Sequence, residues 1–140
     1  MPFMTFKDET AVRRWVAELP CRKDWTEPPK NSIGATPGMC DVTLDVGYSL
    51  PIELKCWEML GRGEFAARLR REQVRYHYVR NLKRPVTLLM FGCPTVPGIF
   101  VLPASLIPLT VVARVRPEDA FVYMDGLSFL DDARSRKFFC

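Results

Sequence analysis

Three residues in the stretch TPGMCDVTLDVGYSLPIELK, residues 36–55, have the types and spacing to do chemistry: Asp41, Glu53 and Lys55. Asp41 opens one short β-branched run, and Glu53 and Lys55 stand two apart inside a second. Residues i and i+2 of a strand project from the same face, which sets a carboxylate beside an ammonium. A short hairpin between the runs brings Asp41 toward the same end of the sheet. Two converging carboxylates can hold a divalent cation, and with few protein ligands and several waters or phosphate oxygens the natural occupant is Mg²⁺. An adjacent lysine can orient or activate water and stabilise charge on a phosphate. These are the parts for metal-assisted phosphodiester hydrolysis. An E-x-K alone is common, and on a solvated strand face such a pair contributes little. This one is set apart by its context: a Gly-containing turn ending in Asp, a strand, a tight turn, then E-x-K inside an apolar run.

The elements that must position these groups follow from periodicity. TFKDETAVRRWVAELP reads as a helix, with Val12, Trp15, Val16 and Leu19 at helical spacing, acidic Asp8 and Glu9 in the first turn and Pro20 as the stop. CRKDWTEPPKNSIGATPG is expected to be loop. DVTLDV and PIELKCW read as strands joined by GYSL, the first with Val42, Leu44 and Val46 on one face and Asp41, Thr43 and Asp45 on the other. EFAARLRREQVRYHYVRNLKRP is predicted as one helix with Phe65, Leu69, Tyr76 and Val79 as its apolar stripe. VTLLMFG fits a buried strand, and GIFVLPASLIPLTVV a strand that extends the core before a Pro-broken stretch. The tail from Pro117 is expected to add a short edge element and a final helix or turn. This order implies an α/β chain with helices on a central sheet.

Composition bounds the reading. The 140 residues are 48% apolar and 26% charged, the balance of a folded chain and not a disordered one. That length suits a single domain with one core. The net charge of +4 permits a polyanionic partner without requiring one. The five cysteines form no C-x-x-C pair and are expected to be reduced thiols. A zinc site joining some of them to His77 lacks any ligand spacing. The opening MPFMTFKDET has neither the basic nor the apolar segment of a signal peptide, and no apolar run reaches the roughly 18 residues of a membrane span. A cytoplasmic protein is expected, with no membrane partner.

PGMCDVTLDVGYSLPIELKCW resembles the core of the PD-(D/E)xK nuclease superfamily, in which an acidic residue starts one strand and (D/E)-x-K lies in the next. Within it, the chain is most similar to the VRR-NUC and Holliday-junction-resolvase-like branch common in phages, where G-x-PD precedes ELK and a helix carrying Gln follows. Asp41 matches the motif aspartate, Glu53 and Lys55 match E-x-K, Gln73 matches the helix glutamine, and RPVTLLMFG matches the next strand. The resemblance covers roughly residues 5–92, leaving 93–140 as a C-terminal extension. Cys40 stands where the motif has proline, a backbone preference and not a ligand. The resemblance implies a restriction-endonuclease-like core with a central mixed sheet flanked by helices. It implies Mg²⁺ or Mn²⁺ held by Asp41, Glu53 and the Leu54 carbonyl, a water supported by Lys55, and Gln73 helping to position the site. It further implies a bacterial or phage-infected cytoplasm as the setting.

The family also tends to place a glutamate of the first helix near the metal, and Glu9 and Glu18 are the candidates. Glu9 lies about 70° from the centre of the apolar stripe and Glu18 about 110°, which favours Glu9. The alternative is that Glu9 simply complements the helix N-terminus. Between residues 62 and 84, eight basic residues (among them Arg62, Arg68, Arg70, Arg71, Arg75 and Arg80) face only Glu64 and Glu72. This local excess suits a phosphate backbone, where a bland reading would see a solvated helix exterior. His77 is expected at the surface or half-buried. The function implied is a metal-dependent DNA endonuclease, with branched DNA among its candidate substrates and a homodimer as its form. The alternative is a catalytically inactive module of the same fold that binds nucleic acid or a protein.

Overall fold

The computed structural model describes residues 4–26 and 40–139. Asp8 caps helix α1 (Glu9–Ala17), its carboxylate accepting the Ala11 N–H at 2.9 Å, which satisfies a first-turn donor that the helix itself cannot. Strands β1 (Arg22–Trp25), β2 (Val42–Asp45) and β3 (Ser49–Cys56) form an antiparallel meander. The β2–β3 turn passes through Gly47 at φ +91°, a left-handed conformation that glycine adopts without strain. β4 (Phe65–Arg68) and α2 (Arg71–Arg80) then carry the chain to β5 (Leu88–Gly92), which lies parallel to β3. β6 (Ile99–Pro103) and β8 (Phe121–Tyr123) continue antiparallel from β5. The six-stranded sheet runs β1-β2-β3-β5-β6-β8, while β7 (Val112–Val115) pairs with β4 in a separate two-stranded sheet. α3 (Gly126–Arg134) follows the edge strand β8. This is the α/β class expected, a central mixed sheet flanked by helices.

Apolar side chains pack on both sides of that sheet. One layer joins Val12 and Val16 of α1 and Phe129 and Leu130 of α3 to Leu44, Ile52, Leu54, Met90 and Val101. The other gathers Trp57, Phe65 and Leu69 on Leu89, Phe91, Phe100 and Leu102. Phe65 meets both Phe91 and Phe100 with ring centroids 4.8 Å apart. β5 supplies both layers with alternate residues, so its unbroken apolar run is what a strand covered on two faces requires. Gly92 is fixed by packing: a Cβ there would lie 2.5 Å from the Phe6 ring.

Two expectations are corrected. The stretch 64–85 is not one helix: Phe65–Arg68 is a strand whose alternating Phe65 and Ala67 are buried, and the helix begins only at Arg71. Phe65 and Leu69 stand four apart, a spacing that a helical stripe and an alternating strand with its extension both satisfy. Val79, assigned to the apolar stripe, is 53% exposed. The second correction is β1, expected as loop, where the polar run Arg22–Trp25 is a strand that among the described residues pairs on one side, at the edge of the sheet. Residues 27–39, the remainder of the expected loop, lie outside the described residues. Cys21, Cys40, Cys56 and Cys93 are free thiols. No helix among the described residues is long and apolar enough to cross a membrane.

Candidate functional site

β2 begins at Val42, opposite Ile52, so β3 runs beyond the β2 ladder from Glu53 onward. The Leu54 N–H, left without a strand partner on that side, donates to Asp41 Oδ2 at 2.8 Å. Within an extended strand the N–H and C=O of one residue leave on the same side, so the Leu54 carbonyl faces the Asp41 side as well. Glu53 projects from the face opposite Leu54, and Lys55 shares that face. Glu53 is 1% exposed, a buried carboxyl flanked in β3 by the apolar Ile52 and Leu54. Burial pushes its pKa up, and hydrogen bonding to Asp41 and the Asp41 charge push it further, against the opposing Lys55 charge. Glu9, half-buried on α1, is also pushed up, first by burial and then by Asp41, while Lys55, Arg13 and Arg70 oppose. The four predicted groups Glu9, Asp41, Glu53 and Lys55 therefore sense one another across α1, β2 and β3. Glu18, the other candidate on α1, is exposed at the helix C-cap.

Arg13 belongs to this cluster although its sequence position does not announce it. Its Nη2 donates to Asp41 Oδ1 at 3.2 Å, and its guanidinium lies 5.3 Å from the centre of the Trp25 ring. Both partners are partly exposed, so the pair itself is worth about 0–1 kcal/mol. Its consequence is geometric: with the Leu54 N–H it holds both oxygens of Asp41. The only hint in the sequence is that Arg13 sits four residues after Glu9, on the same helix face.

α2 turns a polar stripe inward. Gln73 and His77, four residues apart, are 3% and 1% exposed, and they are the buried residues of the helix. Gln73 Oε1 accepts the Arg70 N–H at 2.9 Å, so part of its amide caps its own helix. His77, expected at the surface or half-buried, instead lies deep against β3, with Nε2 4.0 Å from Glu53 Oε1. That distance is too long for a hydrogen bond, and both atoms are buried without a partner among the described residues. On the far side of the ring, Nδ1 lies 2.9 Å from Thr87 Oγ1. Burial, and secondarily the Lys55 charge, lower the His77 pKa to about 4, so the ring is neutral near pH 7. The two inward polar residues four apart are the available sequence signal, obscured by reading 64–85 as a single helix.

The arginines named from the sequence are all exposed. Arg71, Arg75 and Arg80 are on α2, Arg70 is its N-cap, Arg68 ends β4, and Arg62 is in the turn before that strand. They come from three consecutive elements and not from one helix face.

No family model matches the sequence, and no curated protein does. Among solved structures, the chain is similar to a Holliday junction resolvase of Archaeoglobus fulgidus, with a TM-score of 0.49 and 16% sequence identity. That likeness covers 82% of this chain and 91% of the resolvase.

The residues present fit a small hard cation. Asp41 and Glu53 bring their carboxyl groups together, one Glu53 oxygen is buried without a donor, and the Leu54 carbonyl faces the same side. Among the described residues no three His, Cys, Asp or Glu side chains are gathered as a metal cage. An ion here would have few protein ligands, as Mg²⁺ accepts and structural zinc does not. His77 has no set of further ligands gathered with it for zinc among the described residues.

Proposed function

We propose that the chain is a Mg²⁺-dependent DNA endonuclease of the PD-(D/E)xK type, with Mn²⁺ as an alternative ion. The observation that carries this reading is the buried Glu53 carboxyl beside Asp41, with Lys55 on the same strand face. A fully buried carboxyl with an unpartnered oxygen is a standing cost unless a counter-charge joins it. Asp41, Glu53 and the Leu54 carbonyl would hold the ion, which supplies a polarised phosphate and an activated water when bound. Lys55 would support the attacking water and stabilise charge developing on the phosphate. Arg13 and the Leu54 N–H keep Asp41 turned toward Glu53. Glu9 adds negative charge at the rim, and Gln73 fixes the start of α2 beside the site. Arg62, Arg68, Arg70, Arg71, Arg75 and Arg80 are the phosphate contacts on this reading. The chain acts as one nuclease domain and as a homodimer that places two such sites on branched DNA, in a bacterial or phage-infected cytoplasm.

A second reading is favoured by one observation: both Asp41 oxygens already have protein donors, as in a purely architectural aspartate. On that reading the chain is an inactive nuclease-fold module that binds nucleic acid or a protein. Incubation with branched and linear DNA, in Mg²⁺ or in EDTA, separates the two. The first reading expects cleavage that needs Mg²⁺ and is abolished in Asp41→Ala and Lys55→Ala. No Mg²⁺-dependent cleavage, or cleavage surviving both substitutions, contradicts it.

A further inference from the structure

We propose that His77 is a positioning residue for Glu53: its Nε2–H donates to Glu53 Oε1, directly or through one water, when Glu53 holds a metal ion. The inference rests on reading Glu53 as a metal ligand.

The tautomer follows from a chain of hydrogen bonds behind the ring. Asn81 Oδ1 accepts the Val86 and Thr87 N–H groups at 2.8 and 3.2 Å, which orients its amide. Asn81 Nδ2 then donates to Thr87 Oγ1 at 2.8 Å. Thr87 is fully buried, and among the described residues its hydroxyl proton has one acceptor within reach, His77 Nδ1 at 2.9 Å. Were Nδ1–H the donor instead, the Thr87 hydroxyl proton would be left buried without an acceptor, which is costly. Thr87 therefore donates, Nδ1 accepts, and the ring proton sits on Nε2. Nε2–H faces Glu53 Oε1 at 4.0 Å. One is a donor and the other an acceptor, and among the described residues both are otherwise unpartnered in a buried site. The separation exceeds a hydrogen bond by about 1 Å, a gap closed by a rotation of the Glu53 carboxylate or by one bridging water. A buried histidine locked by a threonine on one side orients a ligating carboxylate on the other, an outer-layer interaction of the kind that tunes metal affinity.

His77 is the sole histidine, so the ring nitrogens of ¹⁵N-labelled protein give one assignable set of signals near neutral pH. The expected spectrum of the metal-free protein has the proton on Nε2, and a proton on Nδ1 overturns the proposal. Mn²⁺ binding by calorimetry provides the second readout. His77→Leu is expected to weaken binding by about 10–100-fold, with recovery in His77→Gln, whose amide returns an N–H near the Nε2 place. Thr87→Val leaves the imidazole and removes its lock, and is expected to weaken binding in a protein that keeps its histidine. Equal affinity in wild type, His77→Leu and Thr87→Val overturns this proposal alone. A wild-type chain that binds no Mn²⁺ overturns it together with the metal reading.

Discussion

Asp41 Oδ2 accepts the Leu54 N–H at 2.8 Å, which joins the residue preceding β2 to the part of β3 that β2 does not reach. One carboxylate thereby finishes the ladder and sits beside Glu53. Separating its two roles requires two substitutions. Asp41→Asn keeps an oxygen for the Leu54 N–H and should retain most of the fold stability while abolishing cleavage. Asp41→Ala leaves that N–H without its partner and should cost about 1–3 kcal/mol in urea denaturation. Equal stability of the two variants would show that the hydrogen bond is not structural.

Glu53 gives a pH signature in EDTA. Burial raises its folded pKa above the ordinary value of 4.5, so the folded state holds a proton that the unfolded chain releases. The stability linked to that proton is fully present below the unfolded value and disappears as pH rises toward the folded one. Metal-free wild type should therefore lose stability relative to Glu53→Gln as pH rises from about 5 to about 8. Parallel stability curves for the two proteins over that range would contradict the burial of a protonated Glu53.

For Gln73 the expected result distinguishes capping from contact with the reacting centre. Gln73→Ala removes the acceptor of the Arg70 N–H and should lower stability by about 1 kcal/mol. Gln73→Glu keeps an acceptor at the same place, but at a buried position its charged form is costly, so the cap should be restored only at acid pH, where the new carboxyl is protonated. Should Gln73→Glu at acid pH be no more stable than Gln73→Ala, the capping role fails.

The exposed arginines should act on DNA affinity additively and without sequence preference. Replacing Arg71 or Arg75 by Ala should reduce the slope of log affinity against log salt by about 1 for each phosphate no longer neutralised. Fluorescence anisotropy on duplex DNA over a range of NaCl measures it. An unchanged slope would assign α2's outer face to solvent.

The strands and their charges are more legible in the sequence than the second helix is. β2 and β3 have apolar residues at regular spacing, and the E-x-K sits in the longer of the two, so Asp41, one residue before β2, is legible beside Glu53 and Lys55 of β3 from the sequence. β5 declares itself through its unbroken apolar run. Residues 65–69 read as helix because Phe65 and Leu69 satisfy a helical stripe, although Phe65, Ala67 and Leu69 are buried alternately. That ambiguity displaces the inward face of α2 from Gln73 and His77 to Tyr76 and Val79. Arg13 is illegible for a different reason: its partner Asp41 is 28 residues away, and nothing local marks a long-range ion pair. β1 is a short polar edge strand whose pairing comes from β2, not from its own propensity.

The central claim is that Asp41 and Glu53 form a divalent cation site. Crystals soaked in Mn²⁺ test it through the anomalous signal of the metal itself. The predicted result is a peak bounded by the Asp41 and Glu53 carboxylates and the Leu54 carbonyl, absent from crystals of Glu53→Gln. A map with no peak between these oxygens, or an equal peak in Glu53→Gln, would contradict it.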